Sequence, residues 1–192
     1  MSKRRVAGWV LAAGILVAGG ITIVDWWQGR MPGKPYELDK ACSGTAYDGA
    51  KPFAGGGPHP IAVFMESDAG HLEHNSLYQS DGSSWPPSDP RDSDEVQLVA
   101  CATVTNEEPT SGSMCAYGIG SPSVPIAMVR ATYQVRVYEL RTHREVLSTL
   151  VEGLDTECPP AISGSFTPDR LLSEPTSDQW RKVLGDLVDK DR

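Results

Sequence analysis

Basic residues are in short supply in this chain. Lysine and arginine number 17 against 25 aspartates and glutamates, a formal charge of −8 at pH 7. Lys3, Arg4 and Arg5 precede an apolar run, so the remainder is more acidic still. Such a surface repels nucleic acid and anionic lipid, and no basic stripe interleaved with aromatics offsets it. The acidity by itself implies only solubility. Phosphate- and dinucleotide-binding loops are missing: there is neither a GxGxxG nor a P-loop. No G-x-S-x-G marks a serine nucleophile, and Ser111-Gly112-Ser113 reads as a turn. No HExxH and no CxxC occurs, which removes the usual signs of a zinc site or a thioredoxin-type redox pair. These absences leave no catalytic residue, metal or cofactor to name.

One long apolar run is present. Residues 6–24 are uncharged and, as a helix rising about 1.5 Å per residue, span roughly 28 Å, close to one bilayer core. The basic residues before it keep residues 1–5 in the cytoplasm as a short tail, and Trp26-Trp27 suit the outer interface. A cleaved signal peptide is the alternative, with small residues at Val17-Ala18-Gly19 or Ala18-Gly19-Gly20. The run continues through Ile21-Thr22-Ile23-Val24, so an uncleaved signal-anchor is expected, with the C-terminal part outside. All four cysteines follow this run, and an even count outside the cytoplasm implies two disulfides. Residues 96–104 and 114–117 read as strands flanking a polar turn. That hairpin would set Cys101 opposite Cys115 and leave Cys42 to pair with Cys158.

Residues 25–60, rich in Gly and Pro, read as a juxtamembrane tether rather than a helix. Residues 61–192 are then one extracytoplasmic domain, large enough for a real core. Residues 61–65 form an all-apolar strand. Residues 67–95 are polar and without periodicity, a functional loop or an insertion. In residues 126–140, Val129, Ala131, Tyr133, Val135 and Val137 alternate with Arg130, Thr132, Gln134 and Arg136, as in a sheet with one wet face. Residues 141–144 are a tight turn, with a hairpin partner in 145–151. A turn of helix is expected at 168–172. A final helix follows Pro175, capped by Thr176 with Gln179 three residues on. Its apolar stripe is Trp180, Val183, Leu184, Leu187 and Val188. The expected fold is α+β: an antiparallel sheet of four to five strands with this helix on one face.

Few residues offer chemistry. His71 and His74 flank Glu73, with Asp68 and Asn75 nearby; on a helix the two imidazoles would share a face. Asp89, Asp92, Asp94 and Glu95 lack calcium-loop spacing. His59, within Gly-Pro-His-Pro, and His143 could each meet an acid in space, but the proline pair also serves simply to restrict the backbone. Trp85, beside two prolines, either covers a core edge or presents an aromatic ring to a partner.

The stretches Gly57-Pro58-His59-Pro60-Ile61, Val96-Gln97-Leu98-Val99-Ala100-Cys101, Cys115-Ala116-Tyr117, Tyr138-Glu139-Leu140-Arg141-Thr142-His143-Arg144 and Cys158-Pro159-Pro160 together resemble a group of uncharacterised exported proteins of actinobacteria. The likeness spans residues 42–190. It implies a cell-envelope location and disulfides, and no reaction. Similar sequences carry Thr-Gly at the turn where His143 stands here; glycine would favour a left-handed backbone more than histidine does. Three functions remain. The leading one is a non-catalytic module binding an envelope protein or small ligand, with His71, His74 and Trp85 as candidate contacts. The others are a hydrolase or metal-dependent enzyme built on the His71/His74 loop, and an assembly or sensor subunit acting through its anchor.

Overall fold

The computed structural model describes residues 31–54, 56–75, 92–117, 124–159 and 168–189. The expected anchor at 6–24, Trp26, Trp27 and Trp85 lie outside these. Among the described residues no helix is long and apolar enough to cross a membrane.

The strands are β1 (Ile61–Glu66), β2 (Leu72–His74), β3 (Leu98–Tyr117), β4 (Val124–Glu139), β5 (Arg144–Glu152) and β6 (Arg170–Leu172), followed by helix α1 (Ser177–Val188). They form one sheet in the order β2-β1-β3-β4-β5, with β6 beside β4. The sheet is mixed, not antiparallel. β1 runs parallel to β3, pairing Ile61 with Leu98 and Met65 with Ala102, and β6 runs parallel to β4. A parallel neighbour needs a long crossover, and residues 67–97 supply one. β1 is buried along Ile61–Met65. That suits a strand covered on both faces, which reads as a continuous apolar run rather than an alternation.

β3 corrects the expected hairpin. Residues 98–117 form a single strand of 20 residues that follows β4 along its length. The polar stretch around residues 106–113 is not a reversal. It falls between register shifts at Val104/Asn106 and Pro109/Met114, where β3 carries extra residues. Thr103, Thr105, Asn106, Glu107 and Glu108 are exposed, so these polar residues sit where the strand leaves the core. The Val104 amide, at the first shift, donates to Glu66 Oε2 at 2.8 Å.

The disulfide pairing differs for the same reason. Cys101 faces Arg136 and Cys115 faces Ile126 on β4. Those partners are ten residues apart on one strand, roughly 33 Å, whereas a disulfide needs Cα atoms within about 7 Å. The bonds are Cys42–Cys101 and Cys115–Cys158, each with Cα atoms 5.6 Å apart.

Both faces of the sheet are covered around β1 and the start of β3. On one, α1 lays Trp180, Leu184, Leu187 and Val188 against Val63, Leu98, Ala100, Tyr133 and Val135. Thr176 caps this helix as expected: its Oγ1 accepts from the Gln179 amide at 3.3 Å, and Gln179 Oε1 accepts from the Thr176 amide at 3.0 Å. On the other face, residues expected as tether form a 3₁₀ helix, Pro35–Ser43, whose Leu38 and Ala41 pack with Tyr47, Phe64, Val99 and Leu140. The spacing of Leu38 and Ala41, one 3₁₀ turn apart, buries one edge of that helix. Cys42–Cys101 fastens it to β3.

The turn of helix expected at 168–172 is instead β6, a short strand continuing the side of β4 beyond the end of β5. Gly153 marks the junction. A Cβ there would run into the Ser173 carbonyl, and Ser173 Oγ donates to the Gly153 carbonyl at 2.9 Å while accepting from the Ala131 amide at 3.0 Å.

Candidate functional site

His71 and His74 do not share a face. His71 is exposed at the bend before β2, and Leu72–His74 is extended and pairs with β1. In an extended chain, residues three apart point to opposite sides, so the helical i, i+3 geometry is absent. The His74 ring stands edge-on to Phe64, with centroids 5.6 Å apart. Among the described residues no group of three His, Cys, Asp or Glu side chains gathers as metal ligands would.

The other two histidines meet amide and carbonyl groups. His59 is 1% exposed; its Nδ1 lies 2.7 Å from Gln97 Oε1 and its ring edge packs on Phe53. Among the described residues its Nε2 has no hydrogen-bond partner. The partner of its Nδ1 is thus an amide oxygen rather than a carboxylate. His143 closes the β4–β5 turn with φ 55°, so the left-handed residue here is the histidine itself. Its Nε2 is 2.8 Å from the Ala41 carbonyl and its ring stacks on Tyr138, 4.3 Å between centroids.

Buried Glu139 and half-buried Asp68 each accept hydrogen bonds from elsewhere in the fold. Glu139 accepts from the Phe53 amide at 3.2 Å, Thr142 Oγ1 at 2.8 Å and Arg144 Nη2 at 3.2 Å. Burial alone would raise its proton affinity; these donors outweigh that and hold it below the ordinary glutamate value. Asp68 Oδ1 accepts from the Leu172 amide at 2.7 Å and holds β6. Desolvation pushes that carboxyl up, and Glu73 adds to the effect, against the Leu172 amide and Arg170. Tyr133 donates to the Ser173 carbonyl at 3.1 Å and is kept protonated by burial, reinforced by Glu174 and Asp68. Asp92, in the segment weighed for calcium, pairs with Lys34 at 3.4 Å.

An open cleft of about 1200 Å³ lies between the 3₁₀ helix and β2. The helix supplies Tyr36, Glu37, Asp39 and Lys40; β2 supplies Leu72, Glu73 and His74; Tyr47 forms part of the floor. Tyr36 is 60% exposed and Tyr47 only 3%. The Tyr47 phenol is raised by desolvation and by Asp39. Sequence reasoning singled out His74 and Glu73 and missed the opposite element, because residues 35–47 read as a tether. The spacing of Leu38 and Ala41 between polar residues was the signal available. A second groove of about 520 Å³ runs between β5 and α1, rimmed by exposed Leu150 and Leu154.

No protein family, curated protein or solved structure matches this chain.

Proposed function

We propose that this chain is an extracytoplasmic binding module, held at the membrane by residues 6–24 and stapled by Cys42–Cys101 and Cys115–Cys158. The observation that carries the reading is that all four cysteines are paired at bonding distance. Disulfides persist in oxidising compartments and are rare in reducing ones. A binding role is supported over catalysis by the broad cleft and by the commitment of His59, His143 and His74 to amide, carbonyl and aromatic neighbours. Membership of an actinobacterial envelope group, from the sequence resemblance, belongs to the same proposal.

The test is fractionation of cells expressing the full chain with a C-terminal epitope. N-terminal sequencing of membrane-extracted protein and protease treatment of spheroplasts are the readouts. The expected result is a chain beginning at or next to Met1, in the membrane fraction, with an epitope that protease removes. A mature start near Gly20 or Ile21 replaces the anchor with a cleaved signal. A protected epitope with four free thiols overturns export.

A further inference from the structure

We infer that the cleft between the 3₁₀ helix Pro35–Ser43 and β2 binds an alkylammonium group, either a free polyamine or a lysine side chain of a basic peptide. This rests on the binding-module reading and names its ligand class.

Among the described residues three carboxylates, Glu37, Asp39 and Glu73, line the cleft against one ammonium, Lys40. They come from two elements brought together by packing, the 3₁₀ helix and β2. Among the described residues neither Asp39 nor Glu73 makes an ion pair. Glu37 is partly committed, since its Oε2 accepts from the Lys34 amide at 3.2 Å. Asp39 and Glu73 are both exposed.

Tyr47 is an independent observation. Its ring is buried in the core beneath the 3₁₀ helix, yet the residue lines the cleft. Its hydroxyl makes no hydrogen bond among the described residues, and it is not one of the fully enclosed orphan atoms. Tyr47, 3% exposed, thus lines the cleft with a hydroxyl that has no partner among the described residues.

The chemistry selects a cation that carries hydrogen-bond donors. Carboxylates accept only, and an ammonium offers three donors. The phenol oxygen supplies a further acceptor, and the exposed Tyr36 ring offers a π face at the rim. An anion is repelled by the three carboxylates. A bare metal ion lacks a converging ligand set among the described residues.

The experiment is calorimetric titration of the full chain, in zwitterionic detergent at physiological ionic strength, with spermidine and separately with a trilysine peptide. The site variant is Asp39→Asn with Glu73→Gln. The control is Glu145→Gln with Asp178→Asn, which removes equal charge from exposed residues on β5 and α1. Tyr47→Phe removes one oxygen. All variants are checked for both disulfides. The expected result is saturable binding of at least one probe, weakened about tenfold or more in the site variant and within about twofold of wild type in the control. Tyr47→Phe is expected to weaken it by about threefold. Whichever probe binds identifies the source of the ammonium. Binding of neither probe, equal loss in the control, or full affinity in Tyr47→Phe overturns the inference. Export and disulfide mapping can succeed when these titrations fail, so the two readings fall separately.

Discussion

At the residue scale, several side chains do more than their types suggest. His143 occupies a left-handed turn position, which costs a non-glycine residue about 1 kcal/mol. It offsets this with the Ala41 carbonyl and the Tyr138 ring, and so ties the turn to the 3₁₀ helix. His143→Gly relieves the backbone but removes both contacts and loosens the unfolded chain. A net loss of about 1–2 kcal/mol is expected in urea unfolding. A raised midpoint would show that strain dominates. Glu139 carries a pH signature. Its proton affinity is lowered in the fold, so its stabilisation is present above the ordinary carboxylate range and is lost as pH falls through the folded value. Glu139→Gln should be destabilised at pH 7, and the gap to wild type should close below about pH 4 in urea midpoints. A gap independent of pH would mean that shape, not charge, holds this site. Gly153→Ala should cost about 2–3 kcal/mol, because the added methyl meets the Ser173 backbone rather than a flexible side chain.

At the element scale, α1 is anchored by Trp180, which is 1% exposed. Trp180→Ala should cost roughly 3–5 kcal/mol in denaturant unfolding, much of a domain's typical stability. Thr176→Ala removes the cap and should cost about 1 kcal/mol by the same measurement. Near-wild-type stability in Trp180→Ala would reassign the helix face to binding. The two short elements, β6 and the 3₁₀ helix, depend on attachments instead. β6 is held by Asp68 on its Leu172 amide and by the Arg170–Glu107 ion pair. The 3₁₀ helix is held by Leu38, Ala41 and Cys42.

At the scale of the whole molecule, the disulfides join distant parts of the chain. Cys42–Cys101 spans 59 residues and Cys115–Cys158 spans 43. By loop-closure entropy each is worth about 4 kcal/mol if unstrained. Non-reducing peptide mapping should recover those two links, and a Cys101–Cys115 peptide would contradict the long β3. Reduction should free the 3₁₀ helix from β3 and open the proposed cleft, so any ligand bound there should be lost with the first bond.

Local patterns were legible where local physics decides. The alternation from Val129 to Val137 predicted the faces of β4, because a strand side chain has a period of two. The cap at Thr176 and the apolar stripe of α1 were readable because helix termini and helix faces are short-range features. Two disulfides could be expected from the cysteine count, but not their pairing. Pairing depended on whether residues 106–113 reverse or run on, and that was decided by β4, which offers a strand long enough to carry β3 past its polar stretch. Parallel pairing of β1 with β3 likewise depended on where the 67–97 crossover lands. The cleft required the 3₁₀ helix and β2, far apart in sequence, to meet beside β1. Only tertiary packing brings Asp39, Tyr47 and Glu73 to one opening, because no residue in either segment encodes the position of the other.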